Sequence, residues 1–226
     1  MKIAIVHGAG FYYRGGGERI VIEETKGLRE RGYRVDVYTP HIEVEHCFPE
    51  ETAKLGITPF FRNLNLPCQA AVSMALSSAV YPLIKRTLRQ YDVLVCHSQP
   101  AIWLGYKTRK PFIAYIHRPN CFLYPKPVDQ WSYDVNMFML DKIVRAFPLS
   151  RKLDLESTKA ADKVLTTSQW IAEWTRRIYG IDALKCPPAP SQLFRENSTR
   201  WHWRKNWDKY FSPKLLTVTR HVPIKR

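Results

Sequence analysis

The sequence has no pair of cysteines spaced to hold a metal or to cycle a disulfide. Its five cysteines (Cys47, Cys68, Cys96, Cys121 and Cys186) are scattered, odd in number and never in a CxxC. This excludes a disulfide framework or a zinc site as the organising device and points to a reducing cytoplasm. Long apolar runs are missing too. The most apolar stretch, residues 70–84, carries Ser73, Ser77, Ser78 and Pro82 and falls short of the roughly 18–20 residues that a spanning helix needs. Residues 1–8 are too short for a signal-peptide core and read as a first strand. There is no fixed-period repeat and no low-complexity tract. A Gly-x-Ser-x-Gly elbow, a His-Glu-x-x-His helix and a Walker loop are all absent. Acidic residues are scarce, with Asp+Glu 20 against Lys+Arg 35, a net charge of +15 and a pI of about 9.7. That balance favours anionic partners and says nothing of fold.

At 226 residues, 45% hydrophobic and 13% aromatic, the chain can bury a sizeable core. Short β-rich runs alternate with helical patterns, as in parallel βαβ construction. Strands are expected at 2–7, 34–39, 92–97, 111–117, 163–167 and 183–186. Helices are expected at 18–31, 69–89, 102–107, 132–161 (broken near Pro148) and from the N-cap Ser168 to Gly180. The first helix offers Ile20, Ile22, Gly27 and Leu28 for packing, and Gly32 ends it. The reading is a doubly wound, Rossmann-like α/β domain over 1–190 and a connector over 191–213. Residues 214–226 then form the first strand of a second domain that is otherwise essentially absent.

Three constellations could carry chemistry. Gly8, Gly10 and the run Gly15-Gly16-Gly17-Glu18 join the first strand to the first helix. Backbone N–H groups there can approach a ligand closely, and the helix N-terminus favours an anion. The pattern is not the dinucleotide GxGxxG, and Glu18 opposes an anion at that place. His117 ends a strand, where ligands of open α/β sheets sit, and it can hydrogen-bond a polar ligand or exchange a proton. A lone histidine is as well explained as a structural hydrogen-bonder. His7 and His97 occupy similar strand ends, so the three could face one crevice; they have no carboxylate or cysteine at ligand spacing, and no metal site is read. Arg220 and Lys225, just past the last strand, could clamp a diphosphate. Residues 200–207 interleave tryptophan with cations, but only Trp203 and Trp207 share a helical face, which does not make a base-stacking platform.

Taken in order, Gly15-Gly16-Gly17-Glu18-Arg19 with residues 28–39, Tyr115-Ile116-His117-Arg118-Pro119-Asn120 with Phe122-Leu123-Tyr124, residues 161–168 through Tyr179-Gly180 and Pro187-Pro188, and residues 216–225 resemble the N-terminal half of a GT-B glycosyltransferase of family 4. The second of these stretches is similar to a segment of its mannosyltransferase-like members. The resemblance implies that Gly16 and Gly17 lie near the donor's distal phosphate and sugar. It implies that His117 contacts the transferred sugar or its leaving-group side, and that Arg220 and Lys225 neutralise the departing diphosphate. It implies a nucleotide-sugar co-substrate, no metal or other cofactor, and a glycan or lipid-linked acceptor. Lys85, Arg86 and Arg89 are then candidates for peripheral contact with an anionic membrane, with a solvated basic face as the other reading.

The expected function is the acceptor-side half of a retaining enzyme that moves a hexose, mannose being the candidate, from a nucleotide sugar. The family's Glu-x7-Glu region has no counterpart, so the chain is expected to be incomplete for catalysis alone: either truncated, a gene fragment, or a half that works with a separate C-terminal polypeptide. Two rivals stay open: a non-catalytic module that binds an acceptor or partner enzyme, and a nucleic-acid binder using residues 201–209. Splitting the charge gives −1 for 1–50, +9 for 51–194 and +7 for 195–226. Much of the surplus thus gathers near the proposed clamp, which speaks against nucleic acid.

Overall fold

The structure, a computed structural model, describes residues 1–12, 14–61, 72–73, 75–77, 81–120, 123–124, 142 and 149–188. The expected connector and final strand, with Arg220 and Lys225, lie outside the described residues, as do parts of the helical stretches expected at 69–89 and 132–161. Seven strands are described: β1 (Lys2–His7), β2 (Arg34–Thr39), β3 (Thr58–Pro59), β4 (Val93–His97), β5 (Phe112–Ile116), β6 (Lys163–Thr166) and β7 (Leu184–Lys185). All pair in parallel, in the order β3-β2-β1-β4-β5-β6-β7. Helices with both ends among the described residues connect or flank them: α1 (Gly16–Glu30), α2 (Pro49–Leu55), α3 (Tyr81–Leu88), α4 (Ala101–Thr108), α5 (Ser150–Lys159) and α6 (Gln169–Tyr179).

Side chains alternate across a strand with period two, so each strand feeds two cores. Ile3 and Ile5 of β1, Val35 and Val37 of β2, and Val95 of β4 pack under α1 and α2 with Val21, Ile22 and Leu55. Ala4, Val6, Leu94, Cys96, Ala114 and Val164 face the other way, toward Leu88 of α3, Leu104 of α4 and Tyr179 of α6. Helices on both faces of a parallel sheet give the doubly wound α/β architecture.

Helix ends follow their local chemistry. The Ser168 hydroxyl accepts the Ile171 N–H at 3.3 Å and caps α6. At the end of α1 the N–H of Gly32 reaches the Arg29 carbonyl at 2.9 Å, and that of Tyr33 reaches Leu28 at 3.2 Å. This is a Schellman closure, which needs the left-handed residue that Gly32 supplies at φ 83.

Three expectations change. Helix α1 begins at Gly16, not Glu18, so Gly16 and Gly17 are its first two residues and not loop. Its buried face is Glu18, Val21, Ile22 and Thr25, while Ile20, Gly27 and Leu28 are only half-buried. The short α2 and β3 have no counterpart in the sequence reading. β3 exists because Tyr38 and Thr39 at the end of β2 offer it two ladder positions.

Candidate functional site

Chain order reverses between β1 and β4: β2 and β3 lie to one side of β1, and β4 to β7 to the other. Such a switch point opens a crevice at the carboxyl ends of the two strands. His7 and His97 are register partners at those ends, and His97 is in turn paired with Tyr115 of β5. Parity decides where they point. His7 and His97 follow Ile5 and Val95 by two residues, so they share the face covered by α1, and His117 follows Tyr115 by two.

The rings therefore meet. His97 Nδ1 lies 2.9 Å from His117 Nε2. The His7 ring centroid is 6.3 Å from each of the other two. His7 and His97 are buried, with 2% and 0% exposure, whereas His117 is only half-buried. Burial disfavours the imidazolium, and so do the neighbouring rings. The His7 pKa falls to about 3, first through burial and then through His97, with a backbone contact at Gly10 opposing the fall. His117 is held well below its ordinary value by burial, His97 and His7, in that order. His117 is thus a neutral ring at physiological pH, able to accept or donate one hydrogen bond.

The glycine-rich loop closes the crevice from above. The Phe11 N–H bonds to the His41 carbonyl at 3.0 Å, and the Glu43 N–H bonds back to Phe11 at 2.7 Å, which ties the loop to the residues after β2. The Gly8 N–H bonds to the His97 carbonyl at 2.8 Å. A Cβ at Gly8 would stand 2.7 Å from the Gln99 carbonyl carbon and 2.8 Å from the Ala101 nitrogen, so only glycine admits this approach of two backbones. A Cβ at Gly17 would stand 3.2 Å from His117 Nδ1 and 3.6 Å from His7 Cε1. At Gly16 it would meet nothing within 4 Å.

The opposition of Glu18 to an anion has a local answer. Its carboxylate folds back over Gly15, the N-cap of α1, as the third helical residue does in a capping box. Glu18 serves its own helix end and is buried there, with 7% exposure.

Of the residues proposed from sequence, Gly17 and His117 are brought side by side, and Gly16 lies one position out on the open first turn. Arg220 and Lys225 fall outside the described residues. A carboxylate does reach the histidines through space: Glu24 of α1 places Oε2 2.8 Å from His97 Nε2. Sequence spacing could not reveal it, because the partner sits on a helix that folds over the sheet. The one local hint is that Gly17 and Glu24 are seven apart and share one face of α1, which does not by itself say what that face covers. Among the described residues no group of three His, Cys, Asp or Glu side chains is arranged to hold a metal. No helix among them is long and apolar enough to cross a membrane.

Two kinds of relative share parts of this chain. A stretch is 47% identical over 36 residues to the alpha-1,3/1,6-mannosyltransferase ALG2 of Eremothecium gossypii, 16% of this chain and 7% of that protein. The Candida glabrata protein of the same name is 45% identical over 51 residues, 22% of this chain and 10% of its own length. Among solved structures, the lipopolysaccharide outer core galactosyltransferase WaaB in its apo form superposes with a TM-score of 0.50 at 14% identity, over 80% of this chain and 43% of that one. An alpha-glucosyltransferase in complex with UDP and a 13-mer DNA gives 0.50 at 12% identity, over 88% and 45%. The structures bear on fold alone, and the match takes in less than half of either. The sequence pattern of Glycosyltransferase Family 4 extends over residues 14–187, from the glycine-rich loop past the last described strand, and the chain belongs to that family.

Proposed function

We propose that this chain is the acceptor-side half of a retaining glycosyltransferase that moves a hexose, with mannose the candidate, from a nucleotide sugar to a glycan or lipid-linked acceptor. The observation that carries the reading is the meeting of Gly17 and His117 at the switch-point crevice, where a Cβ on residue 17 would stand 3.2 Å from His117 Nδ1 and the lack of a side chain leaves that ring atom uncovered. The mannosyltransferase names of the relatives support the choice of sugar. The backbone N–H groups of Gly16 and Gly17, on the first turn of α1, suit the distal phosphate and sugar of a donor. His117 contacts the sugar or its leaving-group side. Arg220 and Lys225 serve as the diphosphate clamp, charge-assisted donors that neutralise the departing group without a metal. The nucleotide-binding half is supplied by sequence beyond this domain or by a separate polypeptide. Contact with an anionic membrane uses the exposed Arg86 of α3 and Arg89 just beyond its end.

Binding is tested before turnover. Saturation-transfer NMR of the chain with mannose-containing glycans, GDP-mannose and a UDP-sugar is expected to show saturable contact with a glycan. Gly17→Val, which fills the gap beside His117, and His117→Ala are each expected to weaken it about tenfold or more, the loss of roughly 1.4 kcal/mol. Radiolabelled transfer from GDP-mannose to a lipid-linked glycan then separates an enzyme half from a binding module. No contact with any glycan or nucleotide sugar overturns the proposal.

A further inference from the structure

Three side chains from three separate elements form a line at the crevice: Glu24 on α1, His97 at the end of β4 and His117 beyond β5. Glu24 Oε2 is 2.8 Å from His97 Nε2, and His97 Nδ1 is 2.9 Å from His117 Nε2. The first contact is short but bent out of hydrogen-bond geometry. Its electrostatics still decide one proton. A ring lone pair 2.8 Å from a carboxylate oxygen repels it, so His97 carries its proton on Nε2. His97 Nδ1 is then a bare acceptor, and the 2.9 Å contact beyond it forms only if His117 donates from Nε2. A neutral imidazole has one proton to give. His117 Nδ1, the ring atom that faces Gly17, is left as a lone pair.

We infer that Glu24 and His97 are positioning residues that hold His117 in its Nε2–H tautomer and so make Nδ1 a hydrogen-bond acceptor beside Gly17. The partner such an atom recognises is a donor. Given the sugar-binding reading above, on which this last step rests, that donor is a hexose hydroxyl; a phosphate oxygen, itself an acceptor, is disfavoured there. The depressed pKa of His117 agrees with a neutral ring. His7 adds to that neutrality from 6.3 Å and takes no part in the proton line. The arrangement resembles the carboxylate–histidine pairs that fix a ring's tautomer elsewhere, with a second imidazole in place of the usual reacting group.

The test is spectroscopic and needs no turnover. Two-bond proton–nitrogen spectra of the nitrogen-15-labelled chain near neutral pH distinguish the two tautomers and the imidazolium for each histidine. The His117 signals are assigned by their loss in His117→Gln. The expected result is Nε2 protonated and Nδ1 bare for both His97 and His117. In Glu24→Gln, whose amide can donate as well as accept, His117 is expected to shift toward the Nδ1–H pattern. A proton on His117 Nδ1 in the wild-type chain overturns the inference, as it does if His97 holds two protons and drives the line backwards. A His117 pattern unmoved in a folded Glu24→Gln also overturns it. Should that variant not fold, the wild-type spectrum decides alone. Methyl mannoside and inorganic phosphate are then titrated separately. A response of His117 Nδ1 to the mannoside and not to phosphate upholds the acceptor role. The expected tautomer with no response to the mannoside leaves the proton line standing and counts against the sugar site.

Discussion

Burial gives His7 an influence on stability that its uncharged state at neutral pH conceals. The folded protein depresses its pKa to about 3, while the unfolded chain titrates the ring near the ordinary histidine value of about 6.5. On acidification the unfolded state takes the proton first. The stability contributed by this group is whole above about pH 6.5 and is lost as the pH falls toward about 3, with a slope approaching 1.4 kcal/mol per unit inside that window. His117 moves in the same direction, so the comparison must be with a variant. Urea unfolding of His7→Asn is expected to show a shallower acid loss than wild type between about pH 6 and pH 4, and parallel curves would clear His7 of the effect. At the neighbouring position, Gly8→Ala sets a Cβ 2.7 Å from backbone atoms of Gln99, which cannot rotate away. The expected cost is about 1–3 kcal/mol, the range for overpacking, read as a lower urea midpoint with unchanged slope. Both residues stand out in the sequence only as a strand end followed by a glycine. What the glycine avoids is the backbone after β4, and no local pattern announces that.

Among elements, Asp154 of α5 is the joint. It accepts the Trp103 indole N–H from α4 at 3.1 Å and the Tyr179 hydroxyl from α6 at 2.8 Å, all three side chains being buried. Burial raises its pKa to about 6, while hydrogen bonds from Tyr179, Trp103, Gln99 and Tyr124 resist the rise. Because the folded value lies above the unfolded one, the native state holds the proton better. The stabilising share of this group is present below about pH 3.8 and is lost as pH rises through about 6. Asp154→Ala orphans two buried donors and is expected to cost about 1–3 kcal/mol for each. Asp154→Asn keeps a partner for each and is expected to lose most of the pH dependence; equilibrium unfolding at pH 5 and pH 7.5 checks both. The helices carrying these groups were legible from Ser168, Gly180 and their apolar spacing. The joint between them was not, because an aspartate within a polar helical stretch looks the same whether it faces water or a tryptophan on another helix. The two-residue β3 and seven-residue α2 were missed for a related reason: they are too short to hold a periodicity, and pairing with β2 is what makes the strand.

At the scale of the molecule, the order β3-β2-β1-β4-β5-β6-β7 gathers the three histidines and the glycine-rich entry to α1 at one switch point. Under the proposed sugar-binding reading, amide shifts on adding a mannoside are therefore expected to cluster at Gly8, Gly17, His97 and His117. They are not expected at the shallow, roughly 280 Å³ hollow lined by Trp170, Trp174 and Arg177 on α6. A map centred on that hollow would place the ligand away from the switch point. The sequence by itself determined the alternation of strands and helices, the two-faced parity of each strand, the glycine-rich entry to α1 and the caps that end it. All of these act between residues a few positions apart, within reach of propensity and sterics. Only the tertiary structure decided that Glu24, His97 and His117 form one line and that Gly17 lies against it. Those contacts depend on which strands become neighbours in the sheet and on how α1 lies across them, and packing of the whole domain selects both.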